Sequence, residues 1–177
     1  QHRHAYARLT EMVDEQIGGV LDALEDSGLE DDTVVVFTSD HGDLDGSHRL
    51  EQKIVPYREA IEVPLIIADP DSPGPAVDSS HLVSNGLDLL PTLCDYAGAE
   101  VPVFLQGASL RPLVQGGSPA WRESLQVESL VASTTVGPNW IHSIYHSGEN
   151  REQFYDLDRD PGQTRNWLRQ DVPEADK

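Results

Sequence analysis

The 177 residues carry 31 acidic against 12 basic side chains, a net charge of −19 and an isoelectric point near 4.4. Such a surface repels polyanions, which excludes nucleic acid and anionic membranes as partners. The 38% hydrophobic content supports one domain with a core, or one domain with a small appendage. Lys53 and Lys177 are the only lysines. An acidic, lysine-poor composition reads as adaptation to high salt, where screening removes most of the self-repulsion. The lone Cys94 excludes a disulfide framework. No apolar run reaches membrane-spanning length and no targeting segment is visible, which favours the cytoplasm.

In chain order, Leu9, Met12, Val13, Ile17, Val20, Leu21 and Leu24 recur at three-four spacing, predicting a helix over Tyr6–Asp26 that Gly28 ends. Thr33–Thr38 is an unbroken β-branched run and Glu62–Ala68 a second, both in the manner of strands buried on two faces. These elements predict an α/β fold with a mainly parallel sheet flanked by helices. Asp69–Ser80 is a Pro/Asp/Ser/Gly loop. Asn85–Gly98 reads as a helix, with Cys94 on its apolar side as a structural thiol. Beyond it the pattern changes to four short, turn-bounded strands at Ser124–Glu128, Val131–Val136, Trp140–His146 and Gln153–Leu157, expected to form a small antiparallel sheet. A turn at Asp160-Pro161-Gly162 and a short helix near Arg165–Arg169 close the chain. The boundary is placed near Gly116, giving residues 1–116 as the α/β part and 117–177 as the antiparallel part.

The chemistry concentrates where the first apolar run ends in Ser39-Asp40-His41-Gly42. The carboxyl end of a strand in an α/β sheet is where ligand-binding side chains gather. A carboxylate beside an imidazole suits Mn²⁺, Zn²⁺ or Mg²⁺, while Ca²⁺ favours an all-oxygen shell. Both side chains reach one ion only if the chain turns there, and Gly42 permits a turn. Asp43 and Asp45 before Gly46 suggest an EF-hand, but that register puts His41 first and Gln52 twelfth, where carboxylates are required. Lys53, thirteen residues after Asp40, offers a point charge for a tetrahedral oxyanion. His48 lies between them, either as a hydrogen-bond donor to the same group or as a residue that packs the loop. His142 and His146 alternate with Ile141 and Tyr145 and read as surface or packing residues.

At this point the chain resembles the sulfatase family of the alkaline phosphatase superfamily. The family carries T-S-D-H-G after an apolar strand, then G-x-H and a lysine, here Asp40, His41, Gly46-Ser47-His48 and Lys53. Pro56 to Ile67 is similar to its P-Y-x-E-x-I-x-V-P-L-I-I segment. The helix bearing Asp14, Ile17 and Gly18, the segments Leu90-Pro91-Thr92-Leu93 and Leu105–Leu110, and the closing Tyr155-Asp156-Leu157 to Asp160-Pro161-Gly162 match further motifs.

The resemblance implies hydrolysis of a sulfate ester by a formylglycine nucleophile beside a divalent cation. Ca²⁺ is the ion it points to first, with Mn²⁺ or Mg²⁺ as alternatives. Asp40 and His41 are then metal ligands, and Lys53 and His48 substrate contacts. The nucleophile motif C/S-x-P-S-R does not occur in the chain: Cys94 is followed by Asp95-Tyr96-Ala97. The chain is therefore expected to be the C-terminal portion of such an enzyme, inactive alone and completed by the N-terminal half of the same polypeptide. The substrate would be a small-molecule or saccharide sulfate ester. A phosphonate monoester or phosphodiester hydrolase of the same superfamily, and a non-catalytic acidic module, are the alternatives. Arg49-Leu50-Glu51-Gln52 replaces the family's more usual aromatic-containing segment before the lysine.

Overall fold

The computed structural model describes residues 2–169. Helix α1 spans His2–Ser27 and stops where Gly28 adopts φ +67°. Its apolar residues form the stripe that the three-four spacing predicts, yet none is buried: Leu9, Met12, Val13 and Val20 are all more than half exposed. Strand β1 (Val35–Thr38) pairs with β2 (Leu65–Ala68) in antiparallel register, Val35 opposite Ala68 and Thr38 opposite Leu65. The parallel arrangement expected for these two strands is thus corrected. The connection between them holds only a short helix, α2 (Arg58–Ile61). A parallel crossover needs a dozen or more residues spent mostly in a packed helix. The expectation of burial on both faces also fails here, since Phe37 and Ile66 are exposed.

Helix α3 (Asn85–Tyr96) begins at Ser84, whose Oγ accepts from the Leu87 amide at 3.3 Å. Pro91 sits inside it and has no N–H to give the Leu87 carbonyl. Gly107 approaches that carbonyl so closely that a Cβ there would lie 1.8 Å from its oxygen. The segment around Gly107 is strapped along α3 by two further bonds. The Ala108 amide donates to Asp88 Oδ1 at 2.9 Å, and the Leu110 amide to Thr92 Oγ1 at 2.9 Å. A short α4 follows at Arg111–Val114.

Strands β3 (Leu125–Glu128), β4 (Ala132–Val136), β5 (Trp140–Tyr145) and β6 (Glu152–Asp156) form a four-stranded antiparallel meander in sequence order. Their boundaries fall within two residues of those predicted at every end. Ala132, Thr134, Ile141, Ser143 and Tyr155 line the inner face, with Thr134 and Ser143 hydroxyls paired at 2.9 Å. The short helix expected near Arg165–Arg169 is replaced by turns, anchored by Asp160, whose carboxylate accepts from the amides of Thr164 and Arg165.

The chain exposes 12206 Å², whereas a compact protein of 19.5 kDa exposes about 8,500 Å². The excess is consistent with the bare face of α1 and the two open edges of the β1–β2 pair.

Candidate metal and oxyanion site

The turn Ser39–Gly42 leaves β1 and is fixed by bonds within itself and from α3. The Ser39 hydroxyl donates to the His41 carbonyl at 2.8 Å. Asn85, the first residue of α3, donates its Nδ2 to the Ser39 carbonyl at 2.5 Å. Gly42 donates its amide to the Ala60 carbonyl at 2.9 Å, and a Cβ on it would lie 2.0 Å from the Glu59 carbonyl oxygen. Glycine is required here for close approach to α2 and not for a left-handed φ, since Gly42 is not among the residues of positive φ.

This turn brings Asp40 and His41 together. His41 Nδ1 lies 2.9 Å from the Gly42 carbonyl. A carbonyl can only accept, so Nδ1 carries the proton and Nε2 of the neutral ring keeps its lone pair. That Nε2 lies 3.4 Å from Asp40 Oδ2. The two donors converge, and the tautomer is set by an outer hydrogen bond as metal-binding histidines require. The His41 amide, donating to Asp40 Oδ1 at 2.9 Å, holds the Asp40 carboxyl below its usual range. Burial is the next influence and opposes it. The carboxylate is therefore ionised and, at 83% exposure, open to a ligand.

Asp43 and Asp45 take other partners. Asp43 Oδ1 accepts the Asp45 amide at 2.7 Å, and Asp45 meets His2 Nε2 at 3.0 Å at the start of α1. Among the described residues no cluster of three or more ligand-type side chains forms.

Lys53 is exposed and borders the same open groove as Asp40 and His41, together with Ile54, His81 and Asn85. His48 does not border it. Its ring stacks on Tyr57 at 3.7 Å and 10°, with Glu59 Oε2 at 3.9 Å from Nε2. Asp40, His41 and Lys53 thus border one groove, whereas His48 packs on Tyr57. That loop is conformationally costly: Asp45, His48, Arg49 and Gln52 all have positive φ. Non-glycine residues held this way cluster at functional sites.

The sulfatase family model matches residues 1–99, more than half of the chain. The chain belongs to the sulfatase family. It is 35% identical to a Delta 4,5-hexuronate-2-O-sulfatase of Bacteroides thetaiotaomicron over 93% of its own length and 37% of that protein. A solved 2-O GAG sulfatase superposes with a TM-score of 0.82 at 34% identity, covering 91% of this chain and 37% of that one. A phosphonate monoester hydrolase of Agrobacterium radiobacter gives 0.75 at 28% identity, covering 88% and 34%. The chain spans little more than a third of the length of these relatives.

Sequence reasoning named Asp40, His41, Lys53 and His48 as candidates and gave no sign of the roles of Asn85, Asp88, Arg122 and Gln163. Asn85 was visible only as a helix start. The buried pair of Asp88 and Arg122 joins positions 34 residues apart, with no local signature. Arg122 Nη1 reaches Asp88 Oδ2 at 2.6 Å and also the Leu82 carbonyl at 3.0 Å.

Proposed function

We propose that this chain is the C-terminal portion of a sulfatase that hydrolyses sulfate esters, saccharide sulfates foremost. The observation that carries the reading is the convergence of Asp40 Oδ2 and His41 Nε2, with Lys53 on the same groove, in a chain of the sulfatase family. The donor set of one carboxylate oxygen and one imidazole nitrogen fits a divalent cation; the family likeness points to Ca²⁺ first, with Mn²⁺ or Mg²⁺ as alternatives. When bound, such an ion supplies Lewis-acid neutralisation of the sulfuryl oxygens. Lys53 adds a fixed positive charge where a sulfate oxygen gains negative charge. His48, stacked on Tyr57 outside that groove, shapes the loop that leads to Lys53. The formylglycine nucleophile belongs to the N-terminal half of the same polypeptide, which also supplies the remaining metal ligands. That half covers α1 and extends the β1–β2 pair into a larger, mainly parallel sheet. The exposed apolar face and the coverage of barely more than a third of each relative support this.

The test is turnover of an aryl sulfate by the intact polypeptide and by its Asp40→Ala variant. Loss of turnover with an unchanged melting temperature is expected, because Asp40 is exposed. Normal turnover in the variant would sink the ligand assignment. A second reading, phosphonate monoester or phosphodiester hydrolysis, draws on the likeness to the Agrobacterium enzyme. A higher kcat/KM on aryl phosphonate than on aryl sulfate would favour it.

A further inference from the structure

The turn carrying His48 is held from the far end of the chain. Helix α2 starts at Tyr57 without a side-chain cap of its own. Its first amide, that of Arg58, donates instead to Gln163 Oε1 at 2.8 Å, 105 residues later. Gln163 is 3% exposed and holds φ +47°, a conformation an unbranched side chain keeps only when its surroundings fix it. Tyr57, thus set in place, stacks on the His48 imidazole and leans on Tyr155 of β6 with ring centres 6.0 Å apart. Asp160, in the same closing turn as Gln163, lies within electrostatic reach of His48. Four observations therefore converge on one contact. The residues that make it from the C-terminal side, Tyr155, Asp160 and Gln163, lie outside the segment that the family model matches.

We propose that Tyr57 and Gln163 are positioning residues: the closing turn after β6 sets the orientation of His48, and with it the loop that presents Lys53. The proposal rests on the sulfatase reading for its functional consequence, but not for its geometry. The stack fixes the ring plane, and the Gln163 cap fixes the residue that carries the stack. Without them the left-handed backbone at His48 and Arg49 has a lower-energy alternative to relax into.

The experiment uses the intact polypeptide with ¹³C-labelled histidine and three variants, Tyr57→Phe, Tyr57→Leu and Gln163→Met. Phenylalanine keeps the stacked ring, leucine removes it, and methionine keeps the shape of glutamine without its acceptor. A ring stacked on Tyr57 has its C–H signals shifted upfield. Tyr57→Leu and Gln163→Met are expected to move the His48 signals downfield and to lower kcat/KM on an aryl sulfate about tenfold, as a misplaced group does. Tyr57→Phe is expected to retain both. Unmoved His48 signals in Tyr57→Leu, or a Gln163→Met variant altered only in melting temperature, would overturn the proposal. If the signals move while turnover is unaffected in these variants and in Asp40→Ala alike, the positioning geometry stands and the sulfatase site assignment falls.

Discussion

Replacing Arg122 by leucine removes the guanidinium that neutralises a fully buried carboxylate. Asp88 is 0% exposed and Arg122 19%, and the two make paired contacts at 2.5 and 2.6 Å. Breaking a buried pair from one side costs about 3–5 kcal/mol, because the remaining charge has lost its partner. Asp88 keeps the Ser84 and Ala108 amides at 2.8 and 2.9 Å, so the lower end, about 3 kcal/mol, is expected at pH 7. For a urea slope of about 2 kcal/mol/M the midpoint falls by about 1.5 M, readable in the fluorescence of the adjacent Trp121. Acid gives an independent check. Burial pushes the Asp88 carboxyl up, but Arg122 and the amides outweigh it and hold it below the usual range. The folded state therefore binds fewer protons than the unfolded state. The pair's contribution is fully present above the unfolded carboxylate value of about 3.9 and disappears as pH falls through the lower folded value. In Arg122→Leu only burial and the amides remain, so the deficit against wild type narrows below about pH 4. A loss under about 1 kcal/mol at pH 7, or a deficit that widens in acid, would refute this account.

Gly42→Ala forces a methyl to 2.0 Å from the Glu59 carbonyl oxygen; a loss of about 3 kcal/mol in denaturant unfolding is expected, with weakened metal binding, since overpacking against backbone cannot relax cheaply. Arg49→Gly releases a left-handed arginine at φ +62° and should raise stability by about 1 kcal/mol, scored by melting temperature; a lower melting temperature would show that the arginine side chain stabilises the loop. Calorimetric titration of Ca²⁺ and Mn²⁺ into the 177-residue chain should give only weak binding, of millimolar order for a two-donor site, abolished by Asp40→Ala; micromolar binding indifferent to that change would place the ion elsewhere. Acidification should release the Asp78–His81 turn, because Asp78, held at about 2 by the Ser80 amide, protonates only there; hydrogen exchange at Ser80 that rises already near pH 5 would contradict this.

The parts legible in the sequence are those whose cause is local. The strands β3–β6 announce themselves because one face is packed and the other wet, so the period of two is written into residues such as Ala132, Thr134, Ile141 and Ser143. Helix α1 is equally plain in its apolar stripe. The direction of β2 was not legible, because an unalternating apolar run such as Leu65–Ala68 carries no sign of parallel or antiparallel pairing. The site divided in the same way. Asp40 and His41 are neighbours in the chain, and their convergence follows from one turn. The cap that Gln163 gives Arg58 and the charge that Arg122 gives Asp88 join residues 105 and 34 positions apart. No period or spacing encodes such contacts.

Two independent deficits of this chain have the same remedy. The first is chemical: one oxygen and one nitrogen fill less than half of the coordination shell that a divalent ion requires, and among the described residues no further ligand-type side chain joins them in a cluster. The second is physical: Leu9, Met12, Val13, Val20 and Ile66 face solvent, and exposed apolar side chains grouped in this way mark a surface meant to be covered. The groove that holds Asp40, His41 and Lys53 is bordered by Ile66, so the uncovered surface and the incomplete shell are adjacent. In the arrangement proposed above, a partner that buries Ile66 would be brought to the edge of the ion site, and a ligand-bearing segment of that partner would complete it. Folding and metal binding are then coupled: ion affinity should rise with burial of that face, because both depend on the same contact.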